Sequence, residues 1–295
     1  TLPCHIGVFL NKFCASKGLM FNNLTHPLIM GILNVTPDSF SDGGHYADIA
    51  SAVEQARQMI EQGVDIIDIG GESTRPGSEP VSAEEQIQRV VPVIMAIRQE
   101  LSPSIAISID TTLSAVADAA LDAGATLIND ISAGLQDKKI FFVAAKRNVP
   151  IILMHIKGQP KTMQNEPYYE DVVSEVLTHL RVRIELALAA GVKKHNIAID
   201  PGIGFGKRKQ DNLDLLAHLD KFVATGYPVL LGTSRKRFMG GICAVTEPME
   251  LVTATAVTTA LGVMQGVQMF RVHDVKENKQ AADVAWAIKQ ASIQE

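Results

Sequence analysis

The fold of this chain is decided by the stretch LIMGILNVTPDSFSDGG, residues 28–44. Its first six residues, 28–33, form an apolar run of strand length, and the rest is rich in Asn, Thr, Pro, Asp, Ser and Gly, which favour turns and loops. A strand that ends in a long polar loop is typical of an active-site wall in an α/β barrel. Asn34, Asp38 and Asp42 can carry or orient charge there. Taken alone, however, the stretch is equally compatible with a solvated surface loop.

The alternation of strand, polar loop and helix recurs along the chain. Apolar runs of strand length lie at residues 28–33, 64–69, 104–109, 126–128, 149–153, 196–199, 227–231 and 267–272. Segments with helical spacing of apolar residues follow them; Ser82 opens one with a capping-box pattern, and Gly124 ends another. This alternation predicts a parallel sheet, and eight units in 295 residues predict an α/β fold consisting of a single closed (β/α)8 TIM barrel.

The rival architecture is an open, doubly wound parallel sheet. Such a sheet usually has fewer repeats and carries a glycine-rich dinucleotide fingerprint after its first strand. Gly31 begins no such fingerprint, which favours the closed barrel. We therefore predict one barrel domain, residues 28–295, preceded by an N-terminal extension, residues 1–27, in which Met20 is a candidate start.

The composition excludes several classes of protein. With 46% hydrophobic and 20% charged residues the chain is an ordinary globular protein, and no apolar run approaches the ~20 residues of a membrane span. A net charge of −5 provides no overall basic field for nucleic acid. Three scattered cysteines argue for a reducing compartment, and Lys12 interrupts the apolar residues that a secretory signal would need. We expect a cytoplasmic location, without nucleic-acid or membrane partners.

Candidate site residues lie where the predicted strands end, because barrel enzymes place their reacting groups there. These residues are Asn34, Thr74, Arg75, Asp110, Asn129, Met154, Asp200, Lys236, Arg271 and His273. A single aspartate at a strand end is more often a helix N-cap than a catalyst. Several acids and amides in one barrel mouth, opposed by basic residues, are costly to bury unless they pair or hold a ligand.

The basic candidates come from the last two strands. Lys236, Arg271 and His273 lie at the ends of the seventh and eighth strands, whose loops often bind phosphate in this fold. Basic side chains and free backbone N–H groups suit a phosphate or diphosphate. We therefore expect an anion site on this side of the barrel.

The acidic and amide candidates come from the third, fourth and sixth strands. Asp110, Asn129 and Asp200 can pair with the donor edge of a flat nitrogen heterocycle such as a pterin or purine. A heterocycle without those N–H groups would leave buried acceptors unpaired, which provides specificity. The two sets together predict a site for a heterocycle joined to a diphosphate.

The glycine-rich segment 202–207 follows the sixth strand. It lacks the phosphate-loop pattern, because Lys207 is followed by Arg208 rather than Ser or Thr. We interpret its glycines as flexible loop backbone and Phe205 as an aromatic wall for a second substrate. A plain turn is an equally good interpretation at this point.

Five stretches span nearly the whole chain after about residue 28, namely residues 31–44, 70–77, 200–202, 234–237 and 271–274. Together they resemble the dihydropteroate synthase family of pterin-binding enzymes in folate biosynthesis. The resemblance implies a transferase that joins (7,8-dihydropterin-6-yl)methyl diphosphate to 4-aminobenzoate, giving 7,8-dihydropteroate and diphosphate. It further implies a Mg²⁺ cofactor, a homodimer and competition by sulfonamide drugs in the aminobenzoate pocket.

The resemblance also implies roles for individual residues. It assigns the pterin to Asp110, Asn129, Asp200 and Lys236, and the diphosphate to Asn34, Arg271 and His273. It assigns the aminobenzoate pocket to Phe205, Ser234 and Lys236. Asn34 is also placed near the metal, and Thr74 and Arg75 are placed on the second loop. With these roles, the resemblance implies that diphosphate leaves before the amine attacks, that Arg271, His273 and Mg²⁺ would stabilise the leaving anion, and that Asp110 would stabilise the cation.

Two alternatives stay open at the level of the sequence. A pterin-dependent methyltransferase also cups a pterin in a barrel, but it does not need Lys236, Arg271 and His273 to face a diphosphate. A non-catalytic homologue would bind the pterin without turning it over. Diphosphate release that depends on 4-aminobenzoate separates all three possibilities.

Overall fold

The computed structural model describes residues 21, 24–35, 44–73, 78–101, 103–158 and 162–293. The strands within these ranges are β1 (Leu28–Asn34), β2 (Ile66–Gly70), β3 (Ala106–Asp110), β4 (Leu127–Asp130), β5 (Ile151–Met154), β6 (Ile197–Asp200), β7 (Leu230–Leu231) and β8 (Met269–Val272). The helices are α1 (Gly44–Glu61), α2 (Ala83–Glu100), α3 (Ser114–Ala123), α4 (Lys139–Arg147), α5 (Val172–Ala189), α6 (Lys209–Ala217), α7 (Leu219–Val223), α8 (Arg237–Cys243), α9 (Val252–Gln265) and α10 (Val275–Ile293).

The strands form one parallel sheet in the order β6-β5-β4-β3-β2-β1-β8-β7. The two ends of this order meet, because Ile199 of β6 forms a parallel bridge with Val229 just before β7. The Ile199 backbone N–H donates to the Pro228 carbonyl over 2.9 Å. The predicted (β/α)8 TIM barrel is confirmed, and the open sheet is excluded.

An apolar layer fills the interior of the barrel. It includes Leu28, Met30, Ile66, Ala106, Leu127, Ile152, Ala198, Leu230 and Met269. Because successive strand residues point to opposite faces, the second and fourth residues after Ile66 and Ala106 also face the interior. On β2 these are Asp68 and Gly70, and on β3 they are Ser108 and Asp110. The interior therefore changes from apolar to polar toward the carboxyl ends of the strands.

The other strand face packs against the ring of helices. Ile67 of β2 and Ile109 of β3 belong to the same buried cluster as Val90 and Ile94 of α2. The predicted cap of α2 is confirmed, because the Ser82 hydroxyl accepts from the backbone N–H of Glu85 over 3.2 Å. A period of 3.6 residues thus turns the apolar stripe of α2 toward the outward face of the sheet.

Two features of the fold differ from the sequence-based expectation. The short helices α7 and α8 were not predicted, because segments of five and seven residues carry too few turns to show a helical period. The seventh predicted strand, 227–231, is regular only over Leu230–Leu231. Pro228 lacks the N–H that a ladder requires, so regular pairing begins after it.

Several predictions fall on residues outside the described ranges. They concern residues 1–20 of the extension with Met20, the loop residues Asp38 and Asp42, and the candidate site residues Thr74 and Arg75. These stay predictions. Among the helices that the structure describes, none is both long and apolar enough to cross a membrane.

Candidate active site

Arg271 of β8 lies between two carboxylates from other strands. Its Nε donates to Oδ2 of Asp68 and its Nη2 donates to Oδ2 of Asp110, each over 2.6 Å. Asn129, in β4, donates from Nδ2 to the same Asp68 oxygen over 3.2 Å. Four strands thus contribute to one network of charged and amide groups in the mouth of the barrel.

Asp68 is the residue that the sequence analysis missed. It lies within the apolar run of β2, and its side chain is completely buried. A signal was available, because an ionisable residue inside a buried strand needs a partner. Asp68 Oδ1 and the hydroxyl of the adjacent Ser108 are buried without a hydrogen-bond partner among the described residues. The floor of the barrel mouth therefore retains unused hydrogen-bonding capacity.

Burial sets the charge state of the Asp110 carboxyl. It raises the pKa of Asp110 to about 7; the positive charge of Arg271 opposes this shift and the carboxylate of Asp68 adds to it. Burial also acts to lower the pKa of Arg271, but the carboxylates of Asp68 and Asp110 outweigh it and raise that pKa. The guanidinium therefore stays charged, whereas Asp110 titrates close to neutral pH.

A second pair of charges lies at the ends of β6 and β7. Burial raises the pKa of Asp200, and the charge of Lys236 opposes that shift. Burial lowers the pKa of Lys236 to about 7, against the attraction of Asp200. A Cβ built on Gly232 would lie 3.8 Å from both Asp200 Oδ2 and Arg271 Cβ. Asp200 and Arg271 therefore both lie beside Gly232, which has no side chain. The Asp200–Lys236 pair and the network around Arg271 thus belong to one site.

The loop after β6 contacts Lys236 directly. The Lys236 ammonium donates to the carbonyl of Ile203 and lies 4.6 Å from the centroid of the Phe205 ring. Phe205 also packs against an apolar cluster that contains Met154 of β5 and Met163. Met154 and Phe205, which the sequence placed in separate motifs, thus belong to one apolar wall beside the charged groups.

Two contacts join the loops after β7 and β8. The Ser234 hydroxyl accepts from the backbone N–H of His273 over 3.0 Å and lies 2.9 Å from Nδ1 of the same residue. Arg235 donates from Nε and Nη2 to the two carboxylate oxygens of Asp274, over 2.9 and 2.5 Å. These contacts fix the positions of Ser234 and His273 relative to each other.

Asn34 lies at the edge of the network formed by Arg271. A Cβ built on Gly70 would lie 3.7 Å from Asp110 Oδ2 and 3.8 Å from Asn34 Oδ1. The absence of a side chain at Gly70 therefore leaves the Asp110 carboxylate and the Asn34 amide oxygen facing one open position. Both are oxygen atoms of the kind that bind hard cations.

The contacts distinguish site residues from residues that only hold a turn. Asp130 holds the turn after β4, because it accepts from the backbone N–H groups of Ser132 and Gly134 over 2.8 and 2.6 Å, and the next helix, α4, begins only at Lys139. Asp110 instead binds Arg271. Asp200 is intermediate: one of its oxygens accepts from the Gly202 N–H over 2.7 Å, and its charge interacts with Lys236.

The structure corrects one part of the sequence analysis. We expected acidic and basic residues on opposite sides of the barrel mouth. Instead, Arg271 reaches across to Asp68 and Asp110, and Lys236 lies close enough to Asp200 to shift its pKa. Alternating charges reduce the cost of burying each group, because every charge has an opposite neighbour.

A closed α/β barrel with a buried, charge-paired rim at its carboxyl end defines this protein as a barrel enzyme that binds a small polar ligand. The family model "Pterin binding enzyme" matches residues 30–273. The dihydropteroate synthase of Synechocystis sp. is 46% identical over 260 residues, covering 88% of this chain and 89% of the relative. That of Bacillus subtilis is 49% identical over 250 residues, covering 85% and 84%. The chain belongs to the dihydropteroate synthase family of pterin-binding transferases.

Solved structures agree with this assignment. A dihydropteroate synthase from Clostridium difficile, determined in the presence of pteroic acid, superposes with a TM-score of 0.85 at 43% identity, covering 91% of this chain and 99% of that one. The enzyme from Xanthomonas albilineans with 4-aminobenzoic acid superposes with a TM-score of 0.84 at 42% identity, covering 90% and 94%. Another structure from that organism contains 7,8-dihydropteroate, and the enzyme of Yersinia pestis was solved with a sulfonamide drug.

Proposed function

We propose that this chain condenses (7,8-dihydropterin-6-yl)methyl diphosphate with 4-aminobenzoate, giving 7,8-dihydropteroate and diphosphate, in the cytoplasm. The observation that carries the proposal is the placement of Arg271 between Asp68 and Asp110, beside Asp200 and Lys236, in a chain of this family. Such a rim offers buried acceptors for a heterocycle and a fixed cation for a leaving anion.

We assign the pterin to the acceptor-rich part of the rim. Asp110, Asn129 and Asp200 are all buried. The N–H groups of a pterin would therefore supply hydrogen bonds that water cannot supply to these acceptors. Lys236 supplies a donor next to Asp200. Met154 contributes apolar surface against which a flat ring can pack.

We assign the diphosphate to Arg271 and His273, with Asn34 at the edge of the site. Arg271 has a guanidinium that stays charged, and His273 is held by Ser234 in the adjoining loop. Thr74 and Arg75 lie outside the described residues; the family resemblance assigns them to the substrate site as well. The planar guanidinium of Arg271 presents N–H groups that match the oxygen atoms of a phosphate, which is why an arginine suits this position.

Asn34 would hold a Mg²⁺ ion, because its amide oxygen is a ligand of the kind that this cation uses. Among the residues described, no group of three His, Cys, Asp or Glu side chains could hold a metal by itself. Asn34 offers one amide oxygen, and Mg²⁺ commonly uses one or two protein oxygens together with substrate phosphates and waters. We therefore assign the ion to Asn34 and the diphosphate. When bound, it would help to neutralise the charge of the leaving group.

We assign the 4-aminobenzoate pocket to Ser234, Phe205 and Lys236. The Phe205 ring lies against the Lys236 ammonium, so one wall is aromatic and its edge is charged. The ring of the aminobenzoate can pack on Phe205, and its carboxylate suits the hydroxyl of Ser234.

The proposed catalytic residues are Asp110, Lys236, Arg271 and His273. In the first step the bond between the pterin methylene carbon and the diphosphate oxygen breaks, and its electron pair leaves with the diphosphate toward Arg271 and His273. The carboxylate of Asp110 stabilises the positive charge that develops on the pterin. The amine nitrogen of 4-aminobenzoate then forms the new bond to that carbon and releases one proton.

We propose that the protein is a homodimer that uses a face formed by α9 and α10. On α9, Val257, Leu261 and Met264 are 53%, 57% and 44% exposed at helical spacing, and on α10 Val284 and Ile288 are 61% and 58% exposed. The two helices pack side by side. An apolar surface shared by adjacent helices is typical of a protein interface.

One assay tests the proposed activity. Purified full-length protein receives the pterin diphosphate and Mg²⁺, with and without 4-aminobenzoate, and released diphosphate is measured. We expect release that depends on 4-aminobenzoate. A non-catalytic pterin-binding homologue would bind the pterin without this release, and a methyltransferase would show no dependence on the amine.

A further inference from the structure

Lys207 is a buried lysine at the end of the glycine-rich segment 202–207. Only 3% of the residue is exposed. Its Nζ donates to the carbonyls of Gly202 and Phe205 over 2.7 and 3.0 Å and lies 3.0 Å from Nδ1 of His155. Lysine is almost never buried to this degree without a specific partner, so these contacts require an explanation.

Three hydrogen-bond acceptors surround the Lys207 Nζ. They are the carbonyl oxygens of Gly202 and Phe205 and the Nδ1 atom of His155. Burial lowers the pKa of Lys207, and the nearby charge of Lys236 adds to this effect, whereas the carboxylates of Asp200 and Asp211 oppose it. Burial and the charge of Lys207 lower the pKa of His155 to about 2, which keeps that imidazole neutral and able to accept.

The segment that Lys207 holds carries two contacts of the proposed site. Gly202 and Phe205, whose carbonyls bind Lys207, enclose Ile203, whose carbonyl accepts from Lys236. The Phe205 ring itself lies 4.6 Å from the Lys236 ammonium. One buried side chain therefore holds both the backbone that orients Lys236 and the residue that forms the aromatic wall.

The loop has little freedom to find another position. Gly202 and Gly206 have positive φ angles of 70° and 64°. A Cβ on Gly202 would lie 1.9 Å from the His155 carbonyl oxygen, and one on Gly206 would lie 2.1 Å from that of Lys157. The loop is thus pressed against the backbone after β5, on the side where Lys207 binds His155.

We propose that Lys207 is a positioning residue for the second substrate, because it fixes the loop that places Phe205 and the Lys236 ammonium at the 4-aminobenzoate pocket. This inference rests on the proposed function. Lys207 contacts neither proposed substrate directly and acts through the loop. Its loss should therefore affect the binding of the amine more than that of the pterin.

The test compares steady-state kinetics of full-length Lys207→Met with wild type and with Lys209→Met, which removes an exposed lysine two residues away. For Lys207→Met we expect the KM for 4-aminobenzoate to rise on the order of ten- to a hundredfold, as for other small displacements of a binding group, and the KM for the pterin diphosphate to rise much less. Lys209→Met should match wild type. Equal rises in both KM values, or wild-type kinetics, would overturn the proposal.

Gly206→Ala provides a second test that leaves Lys207 unchanged. Its methyl group would push the same loop away from the Lys157 carbonyl, so we expect the same preferential rise in the KM for 4-aminobenzoate. If Lys207→Met does not fold, this variant decides, and an unchanged amine KM overturns the proposal. If wild type itself shows no amine-dependent release of diphosphate, the proposed function fails instead.

Discussion

The guanidinium of Arg271 donates to the carboxylate of Asp110 over 2.6 Å, although the two residues are 161 positions apart in the sequence. The same guanidinium holds Asp68, which is completely buried. A buried charge pair contributes little net stability, but removal of one partner leaves the other charges uncompensated. The arrangement therefore predicts separable effects on stability and on catalysis.

Arg271→Ala should lower both stability and activity. It leaves the carboxylates of Asp68 and Asp110 buried without their cation, which we expect to cost about 3–5 kcal/mol of unfolding free energy. Loss of the charge on the leaving-group side should lower kcat/KM for the pterin diphosphate on the order of a hundredfold or more. Urea unfolding and steady-state kinetics measure the two effects. Arg57→Ala, which breaks an exposed ion pair with Glu54, is the matched control and should change neither.

Asp110→Asn should retain substrate binding and lose most turnover. The amide has nearly the same shape but cannot stabilise a developing cation, so kcat should fall on the order of a hundredfold, the effect of removing one electrostatic stabiliser. Calorimetric titration should give an affinity for the pterin diphosphate close to that of wild type. Unchanged turnover would remove Asp110 from its proposed role.

The pH dependence of kcat/KM should be bell-shaped with a maximum near neutral pH. Asp110, whose pKa burial raises to about 7, is active when ionised, so kcat/KM should fall as the pH decreases below that value. Lys236, whose pKa burial lowers to about 7, is active when protonated, so kcat/KM should fall at higher pH. In Lys236→Arg the alkaline limb should disappear, because a guanidinium stays charged. A flat wild-type profile between about pH 5 and 9 would contradict both assignments.

Asp68→Asn should reduce activity although Asp68 lies within β2 and is not one of the proposed reacting groups. An amide oxygen can still accept from Arg271, but the negative charge that holds the guanidinium is lost. We expect kcat/KM to fall about tenfold, the loss of roughly one charge-assisted hydrogen bond. Ser108→Ala is the control, because the adjacent Ser108 hydroxyl has no partner among the described residues. If both variants behave like wild type, the buried carboxylate has no part in catalysis.

Leu261→Asp should convert the proposed dimer into a monomer. The new carboxylate would be desolvated at the centre of the apolar face of α9 and α10. Sedimentation equilibrium measures the change in mass. Phe142→Asp, at an apolar residue of α4 that is 61% exposed, is the control and should leave the mass unchanged. A dimer that survives Leu261→Asp must use another surface.

The sequence by itself determined the class of fold and most of the candidate site. Eight apolar runs of strand length, each followed by a polar loop and a segment with the period of a helix, specify a barrel. The sequence can show this because the periods of strands and of helices both arise from local backbone geometry. The same order of elements places Asp110, Asn129, Asp200, Lys236 and Arg271 at one end of it, since all strands of a parallel barrel end on the same side.

Only the tertiary structure decided which of these groups pair with one another. A strand period assigns Asp68 to the interior face but does not identify its partner, Arg271, which is 203 positions away. Likewise, the glycine pattern before Lys207 suggested a flexible loop, whereas the buried Lys207 Nζ donates to two carbonyls of that loop. The physical reason is that local sequence sets the backbone conformation and the face to which each side chain points. The contact of Asp68 with Arg271 exists only after β1 has paired with both β2 and β8, which are far apart in the sequence.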